Sequence, residues 1–513
     1  MTITSDTTAT LLTEGTVFRQ GVVCQDRDAT VLLGLRNQTG YRLTHVTGGI
    51  VALLHRLTRE AVPTDALGAG LDERELRQLP RLLERIAPFL ARAQLLGGPA
   101  PSPLISVEAT APGAPYQPVT VGVDDPVRLS KFTLLRRREG ALVLETPLTA
   151  FRCVVRSPAA AAVVSALAET CSAATLGSAG LPADVVAELL GHLVGAGFAD
   201  LGVREGHGAR FAADDDEVLR QWDVHDLYFH SRSRLGRTDE PYGGRFPHVG
   251  VIEPLPPVRP AHAGEPIALR RPKLDDILSR DPSLIATMEG RQSIRGYGEK
   301  PPHVDQLAEF LYRVARVRGV YGPRPDQKMP YAGSTRPYPC GGAAYELELY
   351  LTVRRCEGLD AGVYHYDAQE HALRLVNADA ETRRQLLDLA SLSTGGEAVP
   401  DVLITVTSRF QRLSWKYQSI AYAVTLKHVG VLYQTMYLVA TAMGLAACGL
   451  GSGNSELAER AFGLDPLRES AVGEFILGSA PEVRPDPESA RGAVDWRPGL
   501  DPQWQQDVRR LLP

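Results

Sequence analysis

The chain has 513 residues, 44% of them hydrophobic and 22% charged, with a formal net charge of −5. That length exceeds what one hydrophobic core organises, so roughly two to four domains are expected. The composition is that of a globular protein, and its acidic balance supplies no global basic field to attract nucleic acid.

The six cysteines, at 24, 153, 171, 340, 356 and 448, form no Cys-x-x-Cys pair. Zinc-knuckle and thioredoxin-like patterns are therefore absent, and reduced thiols in a cytoplasm are the expectation. Met1-Thr2-Ile3-Thr4-Ser5-Asp6 lacks a basic region followed by an apolar run, so it does not read as a secretory signal. Val429 to Gly451 carries no charge and is long enough to span a bilayer. Gln434, Thr435, Thr441 and the glycine-rich end favour a buried core helix instead.

The first half contains a repeat. Tyr41-Arg42-Leu43-Thr44-His45-Val46-Thr47 resembles Phe151-Arg152-Cys153-Val154-Val155-Arg156-Ser157, and each precedes an apolar helix. Thr47 and Ser157 stand where N-caps belong, and Pro158 suits a first helical turn. Second helices are predicted near Leu71 and Leu181, so one offset of 110 residues relates both landmarks. The opening hairpin of the second copy is legible as Phe132 to Arg138, a turn at Glu139-Gly140, then Ala141 to Thr146. Strand, helix, helix and closing hairpin suggest a winged helix, which either reads DNA or offers an edge and groove to a peptide. The predicted helix Pro182 to Gly197 has no Lys or Arg, so peptide docking or a scaffold role is favoured over DNA.

From Gly206 to Pro272 the chain is polar and proline-rich, as in an extended connector. Trp222, Tyr228 and Phe229 are too apolar for linker alone, so part of it is expected to pack on a domain. The expected boundaries are 1–110 and 111–205 for the repeat, 206–272 for the connector and 273–513 for a catalytic domain, whose first helix runs from Leu274 to about Glu289.

Three motifs of this last region carry chemistry. Alternation in Arg291-Gln292-Ser293-Ile294-Arg295 sets two guanidinium forks and a hydroxyl on one side, suited to gripping a phosphate. Lys416-Tyr417 puts an amine beside a phenol at a predicted helix start near Gln418. There the positive end of the helix dipole should lower both pKa values and make Tyr417 a better base. Gly449-Leu450-Gly451-Ser452-Gly453 is a glycine-rich segment whose amides could approach a flat ligand. No Gly-x-Gly-x-x-Gly follows a strand to open a helix, so a Rossmann site is unsupported, and no His or carboxylate cluster suggests a metal.

These stretches resemble the nitroreductase-fold FMN enzymes, and most of all the azoline dehydrogenases of the streptolysin S and cyanobactin type. The likeness rests on Arg291 to Tyr297, Arg336 to Gly342, Gly362 to Tyr366, Lys416-Tyr417, Ala442 to Leu445, and Trp222 to Asp226 with His230 to Arg234. It covers about Gln221 to Glu482. The resemblance implies an α+β protein: a C-terminal FMN-dependent domain preceded by two winged-helix, peptide-clamp-like domains. It further implies a homodimer with the helix Ile420 to Gly444 in the interface and residues after Leu477 wrapping the other subunit.

By the same resemblance FMN would lie against Arg291, Ser293, Arg295, Pro339, Cys340, Gly341, Gln434, Gly449, Leu450, Gly451 and Ser452. Lys416 and Tyr417 would be catalytic. Cys340 stands where the family often has serine, which puts a hydroxyl hydrogen bond in doubt. The implied reaction oxidises peptide thiazolines or oxazolines to thiazoles or oxazoles during ribosomal peptide biosynthesis. The partners would be a precursor peptide and a cyclodehydratase. The alternatives are an NAD(P)H-dependent flavin reductase and a flavin-free peptide scaffold.

Overall fold

The architecture is that of a computed structural model, which describes residues 12–27, 30–35, 40–97, 101–111, 116–177, 180–396, 398–482 and 501–511. The N-terminal hexapeptide and most of the tail expected to wrap a second subunit lie outside these residues. The chain divides into two compact units, Met1–Pro241 and Tyr242–Pro513. The stretch expected as a connector is thus shared between them, and its second half belongs to the catalytic unit. Pro266–Ala268 is there an edge strand paired with Ala372–Asn377.

In the first unit both repeat copies open on a three-stranded meander. Val22–Arg27, Thr30–Leu35 and Tyr41–Thr44 form one; Leu134–Arg138, Ala141–Glu145 and Phe151–Val155 form the other. Glu139 and Gly140 both have positive φ, 51° and 83°, as a two-residue primed turn requires. Helices Gly48–Arg59 and Pro158–Ala166 follow the meanders, with Thr47 and Ser157 as N-caps. Glu73–Ile86 and Ala183–Gly195 are the second helices. One seven-stranded antiparallel sheet then joins the copies, because Ser102–Ala109 pairs with Leu90–Leu96 on one side and Phe151–Val155 on the other. Beyond it Ala199–Glu205 and Gly208–Phe211 close the second copy as a hairpin, and Val224–Arg232 is a helix that buries Leu227.

Arg152 sits inside this sheet, almost fully buried, with Glu145 at 2.9 Å, Asp239 at 2.8 Å and Glu108 at 3.5 Å. Burial pushes the Glu145 carboxyl up, but hydrogen bonds from Arg136 and Arg152 outweigh it and hold the group at about 2.

The second unit is a seven-stranded sheet in the order Pro266–Ala268, Ala372–Asn377, Gly362–Asp367, Leu347–Val353, Val402–Arg409, Glu469–Ser479, Leu445–Leu450. Both faces of this antiparallel sheet are covered, so Leu347–Val353, Gly362–Asp367 and Val402–Arg409 are buried along their whole length. Val304–Ala315 and the long helix Ala421–Ala442 pack on the face of Leu349, Leu351, Ile404 and Phe475. Ala380–Leu392 and Ser455–Phe462 pack on the face of Tyr350, Leu403 and Ile476. The predicted uncharged stretch from Val429 to Gly451 is two elements: the long helix, a reversal at Gly444 (φ 69°), and the strand Leu445–Leu450. Among the described residues no helix is long and apolar enough to cross a membrane.

Replacing Arg152 by Ala strips Glu108 of its 3.5 Å partner and removes bonds from Glu145 and Asp239. The expected loss is about 3–5 kcal/mol of stability in the first unit, measured by urea unfolding.

Candidate active site

The Arg291 segment is tied to the sheet edge by one backbone bond: the buried Ile294 donates its N–H to the carbonyl of Ala447 at 3.0 Å. Ser293 Oγ then lies 2.8 Å from the hydroxyl of Tyr437 on the long helix. The Arg291 guanidinium sits 5.3 Å from the centre of the Tyr437 ring, and the Gly449 N–H donates to the same hydroxyl at 2.7 Å. Arg291, Ser293 and Gly449 therefore meet around Tyr437, which the sequence reading did not single out. Among the described residues no carboxylate pairs with Arg291 or Arg295. The uncompensated Arg291 guanidinium beside the Ser293 and Tyr437 hydroxyls fits the phosphate of a mononucleotide.

A second group forms toward the other end of the long helix. Lys416 follows the short helix Gln411–Ser414, and Tyr417 opens a two-residue strand paired with Gly243–Gly244. The Lys416 carbonyl accepts the N–H groups of Arg245 and Phe246 at 3.1 and 3.0 Å. Lys416 Nζ donates to the Tyr331 hydroxyl at 2.7 Å, and that hydroxyl donates to the Gly342 carbonyl at 2.5 Å. The rings of Tyr417, Tyr331 and Phe246 surround the amine at 4.9, 5.1 and 5.8 Å.

Gly342 has φ +63°, and a Cβ there would lie 1.8 Å from Lys416 Nζ. At Gly341 a Cβ would meet His428 Nε2 at 3.3 Å and the Tyr417 hydroxyl at 3.5 Å. These two glycines form a cradle in which the amine and the phenol pack directly against the backbone.

His428 orders this cradle. Its Nε2 accepts the Gly341 N–H at 2.7 Å, so its proton is on Nδ1, which lies 2.7 Å from Glu346 Oε1. Cys340 Sγ accepts the Tyr345 N–H at 3.0 Å and lies 3.5 Å from Glu346 Oε2. Burial pushes the Cys340 thiol well up, and Glu346 adds to the effect, so the thiol stays protonated. Cys340, Glu346 and His428 bring ligand atoms within 4.8 Å of one another, a grouping that could hold a metal ion. The sequence reading saw no such cluster because 88 positions separate Cys340 from His428.

The pKa expectation for the pair is corrected in part. The long helix starts at Ala421, after Ser419 at φ 62°, so Lys416 and Tyr417 lie outside its first turn. Burial, not the dipole, is the leading cause. It lowers Lys416 and raises Tyr417, with Cys340 and Glu346 raising Tyr417 further.

The remaining predicted residues are spread more widely. Gly449 and Leu450 belong to a strand, and only Gly451-Ser452-Gly453 is loop. Ser452 Oγ donates to Ser393 Oγ at 2.7 Å. Leu450, Gly451 and Ser452 line a cavity of about 270 Å³ with Tyr433 and Glu474, but Arg291 and Lys416 do not line it. Arg295, Pro339 and Gln434 are exposed. The two groups are about 13 Å apart along the helix, from Tyr437 back to His428.

Residues 288–479 match the nitroreductase family, and residues 127–239 match the cyanobactin oxidase ThcOx. The C-terminal unit is thus a nitroreductase-fold domain. Upstream of it, residues 127–239 carry the cyanobactin-oxidase likeness, which reaches beyond the Gln221 limit read from motifs alone.

Among relatives, a Methanocaldococcus jannaschii protein bearing the nitroreductase name, MJ1384, is 26% identical over 37% of this chain and 86% of its own. The trifolitoxin-processing protein TfxB of Rhizobium leguminosarum is 28% identical over 27% of this chain and 38% of its own. The microcin B17-processing protein McbC of Escherichia coli is 33% identical over 23% of this chain and 44% of its own. The chain thus matches less than half the length of either processing protein.

Burial raises the Glu474 carboxyl from 4.5 to about 7, partly offset by a bond from the Asn454 backbone. A raised carboxyl stabilises the fold fully below pH 4.5 and loses that contribution as pH climbs through 7. The unfolding free energy should therefore fall between pH 5 and 8, by up to about 3 kcal/mol, and Glu474→Gln should flatten the dependence, both read by urea unfolding.

Proposed function

We propose that this protein is an FMN-dependent azoline dehydrogenase, oxidising thiazolines or oxazolines in a ribosomal precursor peptide. The single observation that carries the reading is the hydrogen-bonded Lys416–Tyr331–Gly342 chain with Tyr417 beside it, both heads packed against Gly341 and Gly342. Its two peptide-processing relatives supply the substrate class. Arg291, Ser293 and Arg295 would hold the FMN phosphate, and Cys340, Gly341 and Gly342 would flank the ring. Bound FMN would supply a two-electron sink, taking a hydride from the former β-carbon of the heterocycle and passing the electrons to dioxygen.

The residues of the chain do the rest. Lys416, its ammonium form disfavoured by burial, takes the proton from the ring α-carbon. Tyr417 keeps its proton at neutral pH and donates a hydrogen bond to the heterocycle. This inverts the assignment read from the sequence, where Tyr417 was the base. Tyr331 holds the amine in place. The meander-and-helix repeat would dock the leader segment or a partner cyclodehydratase. Tyr422 and Leu426 stand 47% and 40% exposed on the long helix, which suits a homodimer.

Purified protein should be yellow and should remove two hydrogens per ring from an azoline peptide, read by mass spectrometry. Lys416→Ala and Tyr417→Phe should retain FMN and lose conversion by about 10²–10⁴-fold. Tyr331→Phe should keep KM, lower kcat and move the acidic limb of the pH profile. Rapid bleaching of the flavin by NADPH would favour a reductase and overturn this reading.

A further inference from the structure

A cavity of about 780 Å³ lies next to Trp415, the residue preceding Lys416. Its volume falls in the range of about 300–1,000 Å³ typical of small-molecule sites. The proline-rich segment that carries Ile252, Leu255, Pro256, Arg259 and His262 forms one wall, and Arg409 and Glu469 stand in the other. Trp415 Nε1 donates to the Ile252 carbonyl at 2.7 Å, which anchors the segment at one end.

Behind this cavity the sheet carries an unusual load of buried charge. Register sets Glu348 opposite Thr407, and Tyr350 opposite both Thr405 and His365. Glu469 accepts from Arg259 at 3.0 Å, from Thr407 at 2.8 Å and from Tyr350 at 3.3 Å. Arg336 and Arg409 approach Glu348 only to 3.7 and 3.6 Å. Arg412 donates solely to the carbonyls of Ala344, Leu255 and Ala332.

Four largely buried guanidinium groups (Arg259, Arg336, Arg409 and Arg412) thus face three buried carboxylates, Glu346, Glu348 and Glu469. Among the described residues, Arg409 is 5% exposed and its Nη1 has no hydrogen-bond partner; the ring nitrogens of His365 have none either, Nε2 lying 3.5 Å from Glu348. His262, 2.8 Å from the Tyr350 hydroxyl, is held neutral, its pKa lowered to about 3 by burial and then by Arg259. Glu253 and Arg468, at the rim, are solvated. A buried cation in excess is costly unless an anion meets it.

We propose that this cavity is a specificity pocket for the substrate, taking an apolar peptide segment that carries one carboxylate side chain. One uncompensated guanidinium calls for a monoanion rather than a phosphate dianion, and the Leu255, Pro256 and Trp415 walls call for an apolar body. The identity of the occupant as peptide rests on the dehydrogenase reading. The charge and the cavity do not.

The test titrates acetyl-Leu-Glu-Leu-amide and acetyl-Leu-Gln-Leu-amide into the full chain by calorimetry, without turnover. The glutamate peptide should bind about tenfold tighter than its glutamine twin. Arg409→Gln should erase the difference. Should that variant fail to fold, Arg259→Gln in the opposite wall should reduce it at least about threefold. Equal binding of the two peptides by the unaltered protein, or none by either, overturns the proposal. Because no flavin reaction is read, either result leaves the azoline assay to stand or fall separately.

Discussion

The amine of Lys416 occupies space that any side chain at position 342 would fill, 1.8 Å from where a Cβ would stand. The local backbone is bent to make that possible. Gly342 lies at φ 63°, Ala343 at 53° and Tyr345 at 43°, and Ser419 at 62° follows the Lys-Tyr pair. Non-glycine residues in this region cost of order 1–3 kcal/mol each and persist only where the surroundings impose them. Here the impositions are visible. Tyr345 is pinned by its hydroxyl to the Tyr338 carbonyl at 2.9 Å and by its N–H to Cys340 Sγ. Tyr331 pins Gly342, and His428 pins Gly341. Strain on both sides of the pair holds two polar heads in a half-buried site where free rotation would scatter them.

Much of this was legible in the sequence, and the limits have physical causes. The second copy's hairpin, the N-caps at Thr47 and Ser157 and the turn at Glu139-Gly140 are local, so short-range pattern found them. The Arg-x-Ser-x-Arg segment and the Lys-Tyr pair were legible because their chemistry lies in adjacent residues. Tyr331, Tyr437, Glu346 and the role of His428 were not, because each acts across distant positions: 85 residues from Tyr331 to Lys416 and 144 from Ser293 to Tyr437. The environment of Lys416 and Tyr417 was misjudged for a related reason. A helix start inferred three residues early put the dipole where Ser419 instead turns the chain, and desolvation, invisible in one dimension, became the larger effect.

The two units resolve buried charge in opposite ways. In the first, three of the four acids around Arg152 have another cation: Asp239 meets Arg19, Glu145 meets Arg136, and Glu240 meets Arg138, while Glu108 instead accepts the Gln20 N–H. Such a network is closed; it orders the sheet and leaves little to recruit. In the second, orphaned atoms concentrate on one face of the sheet, on Glu348, Thr352, His365, Thr405 and Arg409, with Arg336 beside Glu348. A purely structural sheet would fill those positions with apolar side chains, since replacing buried ion pairs by hydrophobes is often neutral or stabilising. Keeping donors unsatisfied beside a cavity is a standing cost to the fold. It is reasonable only where something polar enters from outside, and the cavity next to Trp415 and Lys416 is where it would enter.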